Sequence, residues 1–252
     1  EGISFRERID IVYHLSLPGI LAQIAEIVMQ YIDAAMVGTL GAAASASIGL
    51  VSSATWMFGG CMSGCVSGFS VQIAQAIGAG DFGRSRKIYK QSLTASLLVS
   101  AFFGVLGFLL SLVLPQWLGA ERSLWKDATA YFMGFALFLP ARILQNLGSS
   151  TLQCVGNMKV PSILSAMMCG LDVVFNYFLI FPTREIGLFG RSVTMSGAGL
   201  GVLGAQLGTS FAFVVCAVFL HVYIYMSEDR LSFHHTKGGW IPEKMVVKDA
   251  VR

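Results

Sequence analysis

Four polar side chains interrupt the first apolar run of the chain. Within Leu15 to Gly41, LSLPGILAQIAEIVMQYIDAAMVGTLG, stand Gln23, Glu26, Gln30 and Asp33. At about 100° per residue, their spacing gathers them into an arc of roughly 80°, with Ile and Val on the other faces. A carboxylate at bilayer depth costs about 2.5–3.5 kcal/mol on insertion scales, so an acid kept there is read first as part of an ion or substrate path. The stripe is expected to face a protein-lined cavity, away from lipid.

Two more clusters fall inside apolar runs. Arg142, Gln145, Asn146, Ser149 and Gln153 share one helical face, where they would either line a cavity or hydrogen-bond a neighbouring helix. Asp172 and Asn176 are one turn apart. Together, Asp33 and Asp172 could hold a sodium ion between carboxylate and amide oxygens, or exchange a proton. Arg142 offers a counter-charge to Glu26 or to another acid of the bundle. An intramembrane serine hydrolase would need a Ser and a His together inside the bundle. Here His14 and His221 fall near helix ends and His234 and His235 in the tail, so no catalytic residues are assigned. The two adjacent tail histidines point to different faces and lack a third ligand, so no metal site is read there beyond a sodium ion at the acids. Cys61, Cys65, Cys154, Cys169 and Cys216 match no zinc or redox spacing and are read as small packing residues.

These side chains need membrane-spanning elements to carry them. The 252 residues are 55% hydrophobic and 12% charged, with a mean hydropathy of +0.69. That balance excludes an ordinary soluble domain and implies a multi-span membrane protein. No cleavable signal peptide is expected, since the first apolar run carries acids and no small-residue cleavage site follows a short hydrophobic core. Six segments approach or exceed the roughly 20 residues a spanning helix needs: 11–37, 46–78, 91–114, 128–153, 160–181 and 198–226. They lack the period-2 alternation of barrel strands. The expected fold is therefore all-α, with residues 1–226 as a six-helix transmembrane lobe and 227–252 as a polar linker. Pro18 and Pro140 are candidate kinks. Gly60, Gly64 and Gly68, and likewise Gly197, Gly201, Gly204 and Gly208, are spaced for close helix–helix approach.

Orientation follows from the basic residues. The N-terminus, the second-to-third and fourth-to-fifth loops and the tail hold twelve of the seventeen Lys and Arg. The opposite side holds Arg122, Lys126, Arg184 and Arg191, offset by Glu121, Asp127 and Glu185. Both ends of the chain are expected in the cytoplasm.

Five blocks carry a family resemblance: IDAAMVGTLG (Ile32 to Gly41), VQIAQAIGAGDFGRSRK (Val71 to Lys87), LQCVGNMKVP (Leu152 to Pro161), DVVFNYFLIF (Asp172 to Phe181) and GVLGAQLGT (Gly201 to Thr209). In this order, they resemble the MATE family of multidrug and toxic compound extrusion transporters. The resemblance implies a cation-coupled antiporter of the cell's inner (plasma) membrane, exporting amphipathic and often cationic compounds by alternating access. It implies one six-helix lobe of a twelve-helix protein, with the linker leading to a second lobe from the same parent chain or another copy. Expected partners are the small-molecule cargo, membrane lipid and that lobe, without nucleic acid. No cofactor is expected besides the coupling ion, H+ or Na+. By the resemblance, Asp33 is the coupling acid of the first helix, Asn176 stands where the archaeal DinF-like branch has an acid, Asp172 where that branch has Asn, and Thr209 matches the sixth-helix threonine. Acid and amide are thus exchanged here. Gln23, Glu26, Gln30, Arg142, Gln145, Asn146 and Ser149 are the expected cavity lining. A lipid-linked-sugar flippase of the same superfamily is the nearest alternative, but it calls for a strongly basic cavity to hold pyrophosphate. A non-transporting structural membrane protein, in which the acids merely pair, is the third.

Overall fold

The computed structural model describes residues 5–188 and 191–228, together with 231, 239, 240, 242 and 246. The tail residues Arg230, Lys237, Lys244, Lys248 and Arg252, on which part of the charge argument rests, and the tail histidines His234 and His235 lie outside the described residues. Among the described residues eight helices and one hairpin follow in order: α1 (Phe5–Gly38), α2 (Ala42–Gly78), α3 (Phe82–Ser111), α4 (Leu114–Trp117), α5 (Arg122–Leu137), α6 (Leu139–Cys154), α7 (Lys159–Ile180), β1 (Pro182–Leu188), β2 (Arg191–Ala198) and α8 (Gly201–Ser227). Among the described residues, α2, α3, α7, α8 and the Ser16–Gly38 part of α1 are long and apolar enough to cross a membrane.

Tight turns separate the long helices, and the sequence blocks supply their chemistry. In the GAGD block Gly80 takes a φ of 74°, a left-handed conformation that glycine adopts without penalty. Asp81 then caps α3, its Oδ1 accepting from Arg84 N at 2.9 Å. The VGN turn before α7 repeats the device, with Gly156 at φ 88° and Asn157 Oδ1 accepting from Val160 N at 3.3 Å.

Several elements depart from the sequence reading. The fourth apolar segment is two sixteen-residue helices in series, α5 and α6, separated at Phe138. The break follows from Pro140, which stands in the first turn of α6 and has no N–H to give back to the preceding turn. Pro18, by contrast, lies inside an uninterrupted α1, and its carbonyl accepts from Ser162 Oγ of α7 at 2.5 Å. Residues 182–198, read as a polar connection, form the antiparallel β1–β2 hairpin, with Pro182 opposite Ala198. The glycine repeats also divide. A Cβ on Gly204 would run into the backbone of Leu179, and one on Gly208 into Asn176, so these two glycines let α8 lie directly on α7. Around Gly60 and Gly64 there is open space within 4 Å, so these two bring no helix close in this lobe, and Gly197 lies on β2.

The main core is built by α2, α3, α5, α6 and α8 around Phe58, Phe132, Tyr89, Leu147 and Leu220. Phe58 meets Phe132 and Phe103 edge-on at 5.6 and 5.7 Å between ring centroids, a preferred aromatic geometry. α1 stands at the edge of the bundle and packs chiefly on α7. Past α8 the chain returns to the lobe: Leu231 is buried, Trp240 lies over Lys90 Nζ at 5.5 Å, and Val246 O accepts from Gln72 Nε2 at 2.9 Å.

Candidate functional site

α1, α7 and α8 converge on one polar cluster because α7 packs against both of the others. Asn176 is its centre. The side-chain amide donates to Asp33 Oδ1 at 2.6 Å and to Asp172 Oδ2 at 3.1 Å, so one Nδ2 holds carboxylates from two helices. Thr209 Oγ1, on α8, stands 3.5 Å from Asp33 Oδ2 and donates to Ala205 O of its own helix at 3.0 Å. The four residues read from sequence as the cation-coupling set therefore meet in space.

The cluster is short of hydrogen-bond donors. Ionised carboxylates only accept, and an Asn amide supplies two N–H groups, both directed here at the acids. Asp172 and Asn176 are fully buried, and among the described residues Asp172 Oδ1 and Asn176 Oδ1 have no hydrogen-bond partner. Buried acceptors without donors are costly, on the order of 1–3 kcal/mol each. A proton or a hard cation would relieve that surplus of oxygen. Gly208 contributes by absence, because only a residue without Cβ leaves room for the Asn176 amide oxygen.

Asp33 also reaches a cavity of about 770 Å³, within the range of small-molecule sites. Glu26 and Gln30 of α1, Arg142, Gln145 and Asn146 of α6, and Thr209 of α8 line it. Gln23 and Ser149 are not among its lining residues; Gln23 is exposed and Ser149 is half-buried. Asp172 and Asn176 lie behind Asp33 and do not line it either. Gln153 of the α6 stripe is likewise exposed, and Asn146 Oδ1 accepts from Ser150 at 3.3 Å.

The α2 wall was missed by sequence reasoning. Ser45, Ser52, Thr55, Trp56 and Ser63 line the cavity, and the recurrence of small residues at 45, 52, 59 and 63 was the available signal. Tyr131, Phe135 and Phe213 also line it, and nothing in their spacing marks them. Arg142 is gripped between the last two, its guanidinium carbon 5.1 Å from the Phe135 centroid and 4.3 Å from that of Phe213. Among the described residues no three His, Cys, Asp or Glu gather as a metal site.

Comparison with known proteins agrees with this architecture. The MatE family model matches residues 18–178, from Pro18 within α1 through most of α7. The chain belongs to the MatE family. A probable multidrug resistance protein NorM of Chromobacterium violaceum is 26% identical over 187 residues, covering 74% of this chain and 39% of the relative. The multidrug resistance protein PmpM of Pseudomonas aeruginosa is 26% identical over 200 residues, covering 79% and 41%. Among solved structures, a Pyrococcus furiosus transporter of the MOP superfamily, described as having a binding pocket of reverse polarity, superposes with a TM-score of 0.81 at 21% identity. An outward-facing multidrug resistance MATE transporter superposes with a TM-score of 0.80 at 20% identity. Each alignment covers 95% of this chain and 50% of the other. The chain thus spans about half the length of the relatives it matches. It has the fold of one lobe of a MATE transporter, a family of membrane transporters and not of enzymes.

Proposed function

We propose that this chain is the N-terminal lobe of a cation-coupled antiporter that exports amphipathic, often cationic compounds by alternating access against a second six-helix lobe. The observation that carries the reading is the position of Asp33, which lines the cargo-sized cavity and shares Asn176 with the buried Asp172. A cation or proton taken up by this acceptor-rich cluster would change the charge of the cavity wall through Asp33, which links ion and cargo. The names of the NorM and PmpM relatives support multidrug export as the activity. Among the described lining residues Arg142 is the one basic group against Glu26 and Asp33, which favours cationic cargo over the pyrophosphate of a flippase. The protein would reside in the plasma membrane with both ends of this chain in the cytoplasm.

Ion-gradient-driven export by the two-lobe protein in vesicles tests the reading. Asp33→Asn keeps the size of the side chain and removes its charge, so it should reduce ion-driven export to background while the protein remains folded and inserted. Vesicles holding residues 1–252 alone should not export, since such transporters move two repeats about a shared site. Near wild-type export by Asp33→Asn, with unchanged dependence on the ion gradient, would return the acids to helix packing.

A further inference from the structure

The acid cluster gives the cavity a place for positive charge, but the opposite pole is also built. Arg142 lines the same cavity from α6, and its guanidinium lies against the ring faces of Phe135 on α5 and Phe213 on α8. Ring faces attract a cation but accept none of its N–H groups in the way an oxygen does. Among the described residues its Nε is buried with no hydrogen-bond partner. Glu26, Asp33 and Asp172 are within electrostatic range of Arg142, yet none of them forms an ion pair with it. Asp33 is instead committed to Asn176.

An Arg that served only to neutralise its own lobe would be expected to close on a carboxylate, since an unpaired buried charge is costly. Two aromatic rings from different helices fix this one in place while its donors remain unspent, which is how a receptor group is held ready for a ligand. The planar guanidinium matches a carboxylate through two parallel hydrogen bonds.

We propose that Arg142 is an anion subsite of the cargo cavity, where its planar guanidinium receives the carboxylate of bound cargo. This rests on the export reading for its biological meaning, though the binding preference stands apart from transport.

Rhodamine 110, which carries a free carboxyl group, and rhodamine 123, its methyl ester, share one cationic fluorophore and separate the two charges. Fluorescence anisotropy with the purified full-length transporter measures binding, and export of both dyes is measured in vesicles. The wild type should bind rhodamine 110 at least roughly 10-fold more tightly than the ester, the difference expected for one charge-assisted hydrogen-bonded pair. Arg142→Gln should abolish that difference by weakening rhodamine 110 alone, and Arg142→Lys should retain part of it, because the charge remains and the planar fork is lost. If Arg142→Gln does not fold, the wild-type preference, together with displacement of rhodamine 110 by benzoate, still decides the matter. A wild type that binds neither dye, or both equally, overturns the proposal, as does an equal loss of both in a folded Arg142→Gln. A wild type that prefers rhodamine 110 but transports neither dye supports the anion subsite and counts against the export reading.

Discussion

Both acids of the cluster depend on one side chain. Asn176 Nδ2 donates to Asp33 at 2.6 Å and Asp172 at 3.1 Å, so the exchange of acid and amide along α7, relative to the arrangement that the family resemblance assigns to the archaeal branch, has a structural meaning. Either order leaves one carboxylate and one amide a turn apart on the face of α7 that meets Asp33. Asp172→Asn should therefore lose ion-driven export, because Asp33 would face two amides with one negative charge. Asn176→Asp should also lose it, because three carboxylates would crowd one buried site with no amide between them. The double variant Asp172→Asn/Asn176→Asp restores one of each and should recover export, a non-additive coupling of about 1–3 kcal/mol in a double-mutant cycle on ion affinity. A double variant as inactive as the worse single would show that the register of the acid matters, and that Asn176 is no exchangeable bridge. Asp33 was legible in the sequence because an acid in an apolar run is conspicuous. The bridging role of Asn176 was not, since it depends on which turn of α7 meets α1.

Helix existence was legible from apolar length, whereas contacts between helices were not. The break at Phe138 needed only Pro140, yet the apolar run continued through it and concealed two helices as one. The β1–β2 hairpin escaped notice because PTREIGL carries charges and lies between two spans, where a loop is the default reading. Two glycine repeats of similar spacing proved unlike for the same reason: spacing states where a helix has no side chain, and only packing states what approaches there. Gly208→Ala should displace Asn176 from the acids and strain the α7–α8 contact, costing about 1–3 kcal/mol. Gly64→Ala, with open space around it inside α2, should be neutral or stabilising, by up to about 1 kcal/mol. Thermal unfolding of the purified variants compares the two directly, and ion binding should be lost only in Gly208→Ala. Equal shifts in both would mean that the closeness of α8 to α7 contributes nothing distinctive to this lobe.

At the scale of the whole molecule, the charge distribution gives the expected orientation of the lobe in the membrane. α3 has thirty residues, about 45 Å of helix against a hydrocarbon core of about 30 Å. Its two ends must therefore emerge on opposite faces. The α2–α3 turn is followed by Arg84, Arg86, Lys87 and Lys90, whereas Arg122 and Lys126 near the start of α5 stand with Glu121 and Asp127. By the positive-inside rule the α2–α3 turn should be cytoplasmic and the start of α5 external. Single cysteines at Ala79 and Glu121 test this, because both positions are exposed and neither substitution removes a basic residue. The five native thiols, all free and Cys61 exposed, must first be replaced. A membrane-impermeant maleimide should then label Glu121→Cys in intact cells and Ala79→Cys only after the cytoplasmic face is opened. The reverse pattern would keep the crossings and invert the orientation, which would turn the proposed exporter into a protein whose gradient runs the wrong way for efflux. Labelling of both cysteines from one face would remove α3 as a crossing, and with it the lobe that brings Asp33, Asp172 and the cavity to bilayer depth.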